Sequence, residues 1–247
     1  MDKHQDTLIK LLLQASSRYD LWRVFSDFLF ASAVAISNAV DLTQAKAREE
    51  QYKKVMERYD KETRMLFPQM MAELTLALQD AAESGRFRDV LGDTFHQLNL
   101  QNEWKGQFFT PQSVADLMGE ITIGSNADIM GHIKHYGYVS LYEPACGAGA
   151  TVFGFLNGYY RLRPKGNHSR EVAVCAGDID ERCVWMCYIQ CALYGLPAII
   201  EQRNALTMEL AGTWYTPLYI WHGWAWKIKK ARSIRIADAE ALKFFET

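Results

Sequence analysis

Residues Tyr142 to Phe155 read YEPACGAGATVFGF. Val139 to Tyr142 has the look of a short strand, Ala150 to Tyr160 that of a helix, and Gly147 and Gly149 lie between them. A strand that passes into a helix through two glycines brings backbone close to something, because glycine is used where a side chain would be in the way or where φ must be positive. A phosphate loop would need a lysine followed by serine or threonine after its last glycine. Here Gly149 is followed by Ala150 and Thr151, which excludes it. A dinucleotide loop needs a third glycine where Val152 stands. What remains is a strand-end loop that wraps an adenosine-bearing ligand without gripping a phosphate.

The surrounding pattern fixes the fold class. Beyond about residue 105, strand-like and helix-like segments alternate. A helix is expected over Thr110–Ile121, a strand over Glu171–Ala176, a helix over Arg182–Tyr194, a strand over Ala198–Arg203 and a weaker strand over Pro217–Trp221. Such alternation predicts parallel βαβ units, with ligands held at the carboxyl ends of the strands. The first hundred residues carry helical periodicity instead, including a charged stretch, Thr43–Arg64, expected to be one solvated helix. A short helix is expected over Asp238–Phe245.

The net charge of −2 excludes a molecule that is basic all over, so nucleic acid would have to meet a local patch. No apolar run reaches the roughly 18 residues of a membrane span. The charged start, MDKHQDTLIK, lacks a signal-peptide core, and the expectation is a cytoplasmic protein. Of the five cysteines, Cys183, Cys187 and Cys191 recur every fourth residue, which on a helix makes one buried face of small apolar residues; no metal site is expected.

Glu143-Pro144-Ala145-Cys146-Gly147-Ala148-Gly149 resembles the first motif, D/E-P-x-C-G-x-G, of S-adenosylmethionine-dependent DNA methyltransferases. The similarity is greatest to the adenine-N6 group that includes the modification subunits of type I restriction systems. Gly106-Gln107-Phe108-Phe109-Thr110-Pro111 resembles that group's preceding motif, G-Q-x-F-T-P. The resemblance implies an α/β fold, an abbreviated Rossmann-like methyltransferase sheet preceded by an N-terminal helical region. The expected division is 1–104 helical, 105–232 cofactor-binding and 233–247 a tail. It implies S-adenosylmethionine as cofactor and DNA as partner. Phe109, Thr110 and Pro111 would border the methionine end, with Glu143, Ala145 and Gly147 in the loop. Asp178 would take the ribose hydroxyls, since a carboxylate accepts both protons in charge-assisted bonds. It lies 29 residues after Gly149 rather than about 20, and the polar stretch Arg161–Arg170 absorbs the excess. Its alternative role is a helix cap, for which Asp180 is better placed. Asn204 would meet the adenine ring; its alternative is a turn residue.

The resemblance fails at the catalytic motif, N/D-P-P-Y/F, which is absent from the sequence. That motif accepts the hydrogens of the adenine amine and stacks the flipped base. Two stretches could stand in its place. Thr216-Pro217-Leu218-Tyr219 keeps a proline and an aromatic but comes only 12 residues after Asn204. In the stretch after the expected fourth strand, His222 and Trp224 (or Trp226) are the candidates. Only 25 residues follow His222, so the sheet is expected to be abbreviated, or completed by a partner subunit or by self-association. A basic cluster, Lys227, Lys229, Lys230, Arg232 and Arg235, offers a DNA-backbone contact or a solvated surface. Two functions follow: a DNA adenine-N6 methyltransferase, or a catalytically degenerate S-adenosylmethionine-binding subunit or DNA-binding regulator. A methyltransferase for RNA or a small molecule is a third.

Overall fold

In the computed structural model, residues 2–100 and 109–245 are described, with side chains as far as Ile236. Gly106, Gln107 and Phe108 of the GQFFTP motif, and the 104/105 boundary, lie outside the described residues.

The N-terminal region is helical, as its periodicity predicts: α1 (Lys3–Ala15), α2 (Leu21–Asn38), α3 (Ala45–Met56), α4 (Lys61–Arg64), α5 (Leu66–Glu83) and α6 (Val90–Gln97). The expected single helix over Thr43–Arg64 is in fact two. Tyr59 turns inward, where its hydroxyl donates to Asp27 at 2.8 Å. Asp60 then caps α4 by accepting from the Thr63 N–H at 2.8 Å. Nor is α3 solvated all round. Arg48 is buried, pairs with Asp41 at 3.4 Å and donates to the Thr213 carbonyl at 2.9 Å.

The second half contains α7 (Gln112–Ile123), α8 (Asn126–Tyr136), β1 (Val139–Glu143), α9 (Ala150–Leu162), α10 (His168–Glu171), β2 (Val172–Asp178), α11 (Glu181–Leu193), β3 (Ala198–Arg203), β4 (Leu210–Tyr215), α12 (Pro217–Trp221) and α13 (Trp224–Phe245). The sheet order is β1-β2-β3-β4. The first three strands are parallel, as the alternation requires, giving the expected α/β, Rossmann-like sheet.

Three elements differ from expectation. Pro217–Trp221 is a helix, because Thr216-Pro217 starts one: proline at the first helical position gives up an N–H that would have no partner there anyway. The fourth strand lies earlier and runs antiparallel to β3, closed at its end by buried Thr216, whose hydroxyl donates to the Leu196 carbonyl at 2.7 Å and accepts from the Ala198 N–H at 2.8 Å. The short helix expected at Asp238 is the end of α13, which begins at Trp224. Helix α8 was not expected; a capping box between Ser125 and Asp128 opens it.

Two contacts position the site. α7 and α9 cross closely through Gly119 and Gly154; a Cβ on Gly154 would overlap the Ala115 carbonyl. Gln190 of α11 is fully buried and uses all its hydrogen-bonding capacity. Its Oε1 accepts from the N–H groups of Val90 (2.8 Å) and Leu91 (3.1 Å). Its Nε2 donates to Asp89 Oδ1 and to the Ala148 carbonyl, both at 2.9 Å. One side chain thus joins α6, α11 and the glycine loop.

Candidate active site

The carboxyl ends of β1 and β2 meet around the glycine loop. The Cys146 N–H donates to the Gly177 carbonyl at 2.8 Å, tying the loop to β2. The Gly149 N–H donates back to the Cys146 carbonyl at 2.9 Å, which makes the turn. Gly147 and Gly149 have φ of +51° and +110°, a region that side chains rarely tolerate. A Cβ on Gly147 would stand 3.0 Å from Phe109 Cδ1, so it would narrow the space between loop and ring. The Phe109 ring is fixed from the other side by edge contacts to Phe95 and His96, at 5.2 and 5.4 Å between centroids.

Between these groups lies a cavity of about 190 Å³, which brings together Phe109, Thr110, Ala145, Gly147 and Asp178 with Cys146, Ala148, Ala150, Thr151 and Cys183. Asp178 accepts from the Gly147 N–H at 3.0 Å on one oxygen and from the Asp180 N–H at 2.9 Å on the other. A carboxylate has about four acceptor positions, so capacity remains for a ligand. Burial pushes the Asp178 carboxyl up from its ordinary range, against the pull of the Asp180, Gly147 and Ile179 N–H groups. Asp180, not Asp178, caps α11, accepting from the Arg182 N–H at 2.9 Å. Among the described residues the lining holds no lysine or arginine, so a phosphate would find no counter-charge from them. A carboxylate, an open glycine backbone and an aromatic edge suit a ligand with hydroxyls and a flat ring.

Three expected residues stand apart from this lining. Pro111 borders an adjoining cavity of about 440 Å³, which shares Phe109 and Thr110 and is lined also by Asp89, Asp93 and His96. Glu143 shapes the loop from below, accepting from the Ala145 N–H at 3.1 Å. Asn204 sits at the carboxyl end of β3, but its Oδ1 accepts from the N–H groups of Leu206 (2.9 Å) and Thr207 (3.2 Å), which makes it a turn residue.

His222 and Trp224 are not brought to the cavity. His222 Nδ1 lies 3.2 Å from the Ser169 carbonyl, and Lys227 Nζ donates to the Arg170 carbonyl; both acceptors precede β2. Trp224 is 1% exposed and packs edge-on against Tyr138, just before β1, at 5.4 Å. These contacts mark the amino ends of the strands. Asp178 ends the seven-residue β2, so the two ends lie roughly 20 Å apart at about 3.3 Å per residue. A buried indole at that distance has no face to offer a base at the cavity.

Sequence reasoning missed Asp89 and Gln190. Gln190 carried a signal, as a lone amide among the apolar residues of CVWMCYIQC. Asp89 is buried and its carboxyl is pushed up to about 6 by burial. Cys183, Cys187 and Cys191 are buried along one helix face, with 3.9 Å between the last two sulfurs. No described helix is long and apolar enough to cross a membrane.

No curated protein matches the chain. Among solved structures, the methyltransferase subunit of a type I restriction-modification system from Streptococcus thermophilus aligns at 15% identity with a TM-score of 0.34, over 78% of this chain and 57% of that one. The chain thus spans little more than half the length of that subunit. A sequence model described as N-6 DNA Methylase matches residues 86–221, more than half of the chain, and takes in Phe109, the glycine loop and Asp178. With that match over these residues, the chain belongs to the N-6 DNA methylase family.

Proposed function

We propose that the chain binds S-adenosylmethionine at the carboxyl ends of β1 and β2 and directs methyl transfer to the N6 of adenine in DNA. The observation that carries this is the convergence of Phe109, Thr110, Gly147 and Asp178 on one cavity that contains a carboxylate and, among the described residues, no phosphate-binding cation. Asp178 would accept the ribose hydroxyls on its free lone pairs. Gly147 and Ala145 would let backbone approach the ligand, and Phe109, Thr110 and Pro111 would border its methionine end. Bound there, the cofactor supplies a methyl group already activated as a sulfonium. The protein's own task is to orient it and to exclude water. Residues 105–232 act as the cofactor-binding region in this reading, braced through Gln190 by the helices of 1–104, with 233–247 as a tail.

One observation favours a second reading, a subunit or DNA-binding regulator that holds cofactor without transferring methyl. The two residues expected to act on the base, His222 and Trp224, lie at the far end of the sheet. Two features support a partner, whether another subunit or a second copy. β1 pairs only with β2 among the described residues. α7 also shows solvent an apolar stripe of Val114, Leu117, Met118 and Ile121. Incubation with methyl-labelled cofactor and adenine-containing duplex DNA separates the readings. Labelled DNA supports the enzyme. Tight cofactor binding without label supports the second reading.

A further inference from the structure

A cavity of about 560 Å³ lies between α2, α3 and the first turns of α11. α11 stands between it and the cofactor cavity: Cys183 lines the latter, while Arg182 and Trp185 line the former. The recess therefore opens beside the carboxyl ends of the strands.

Its walls are aromatic and its rim is charged. Trp185 is half-buried and packs edge-on against Phe30 at 5.2 Å. The Arg182 guanidinium is gripped by Asp180 at 2.8 and 2.6 Å and lies 4.7 Å from the Trp22 ring centroid, a fixed planar layer. The acids nearby are mostly committed. Asp27 accepts from Arg58 at 3.1 and 3.2 Å and from the Tyr59 hydroxyl, and Asp20 caps α2. Glu181 stands at the rim. Arg23 and Lys54 also line the recess, and neither has an ion-pair partner among the described residues. Ser26 Oγ, shielded from solvent, lines the same space without a hydrogen-bond partner among them.

Planar side chains beside uncommitted cations are the chemistry that holds an unstacked nucleotide: the base stacks and the phosphates meet the charges. A second basic and aromatic surface among the described residues, with Lys227 against Trp224 and Lys230 over Trp226, lies on α13, whose first turns pack at the opposite end of the sheet. We infer that the recess of Trp22, Trp185 and Arg182 receives a nucleotide of a DNA strand, with its phosphates on Arg23 and Lys54, beside the cofactor cavity. This rests on DNA being the substrate.

The test uses the full chain and fluorescein-labelled single-stranded and duplex oligonucleotides, read by anisotropy across a salt series, with cofactor affinity measured in parallel. The double variant Arg23→Glu/Lys54→Glu changes only surface charge, and Trp185→Ala removes the stacking face. The double variant should weaken DNA binding by about tenfold or more and lower the salt slope by about 2, one per lost phosphate contact. Cofactor affinity should be unchanged in both variants. Wild-type DNA affinity in both variants would overturn the recess and leave the DNA reading standing. Cofactor binding without any DNA binding by the wild type would overturn both.

Discussion

The two ends of the sheet are built from similar residue types and do different things. At the carboxyl end, glycines, a half-buried carboxylate and an aromatic edge surround open space. At the amino end, Trp224, Tyr138, Ala173 and Ala231 are buried against one another, and Lys227 is spent on a backbone carbonyl and an indole face. Aromatic and basic residues side by side look alike in a sequence. What separates a site from a core is strand polarity: in parallel units the loops that can open around a ligand follow the strands.

That contrast can be broken by substitution. The largest effect should come from the amino end. Trp224→Ala should cost about 3–5 kcal/mol of stability, as expected for a buried indole removed. Denaturant melts should show it, while cofactor affinity of the folded protein stays unchanged. At the carboxyl end, Asp89 should impose a pH dependence. Its carboxyl is raised from 3.8 to about 6 by burial, so its contribution to stability is present in full below 3.8 and is lost as pH rises through about 6. The fall should be about 3 kcal/mol, since each pKa unit is about 1.4. Asp89→Asn keeps an acceptor for the Gly92 N–H and for Gln190, and should flatten the melts across that range.

Gly154→Ala should cost about 1–3 kcal/mol, because the new methyl meets backbone and α7 must shift. Since Thr110 leads into α7, this variant should also weaken cofactor binding, which Trp224→Ala should not. His222→Ala should be smallest, within about 0.5 kcal/mol and without effect on cofactor affinity, as for an exposed residue. A loss of cofactor binding in His222→Ala would break the contrast.

Much of the carboxyl end was legible because its signals are local. The loop glycines, the strand before them and the helix after them sit within a few residues of one another, and Asp178 follows from the end of the next strand. The helix over Pro217–Trp221 was misread, because the apolar run PLYIW suggested a strand and outweighed Thr216-Pro217 before it. β4 was hidden because Gly212 interrupts LAGTWY, and its pairing with β3 comes from Thr216 and from Arg48, distant in sequence. Asp89 and Gln190 were missed for the same reason. Each is an unremarked polar residue until the fold places it against a partner about a hundred residues away.

The central claim is that the carboxyl-end cavity holds S-adenosylmethionine through Asp178. Calorimetric titration of the wild type, Asp178→Ala and His222→Ala tests it most directly. The wild type and His222→Ala should bind alike, and Asp178→Ala should lose about 100-fold, as for two charge-assisted hydrogen bonds. Unchanged binding by Asp178→Ala, or none by a folded wild type, would contradict it.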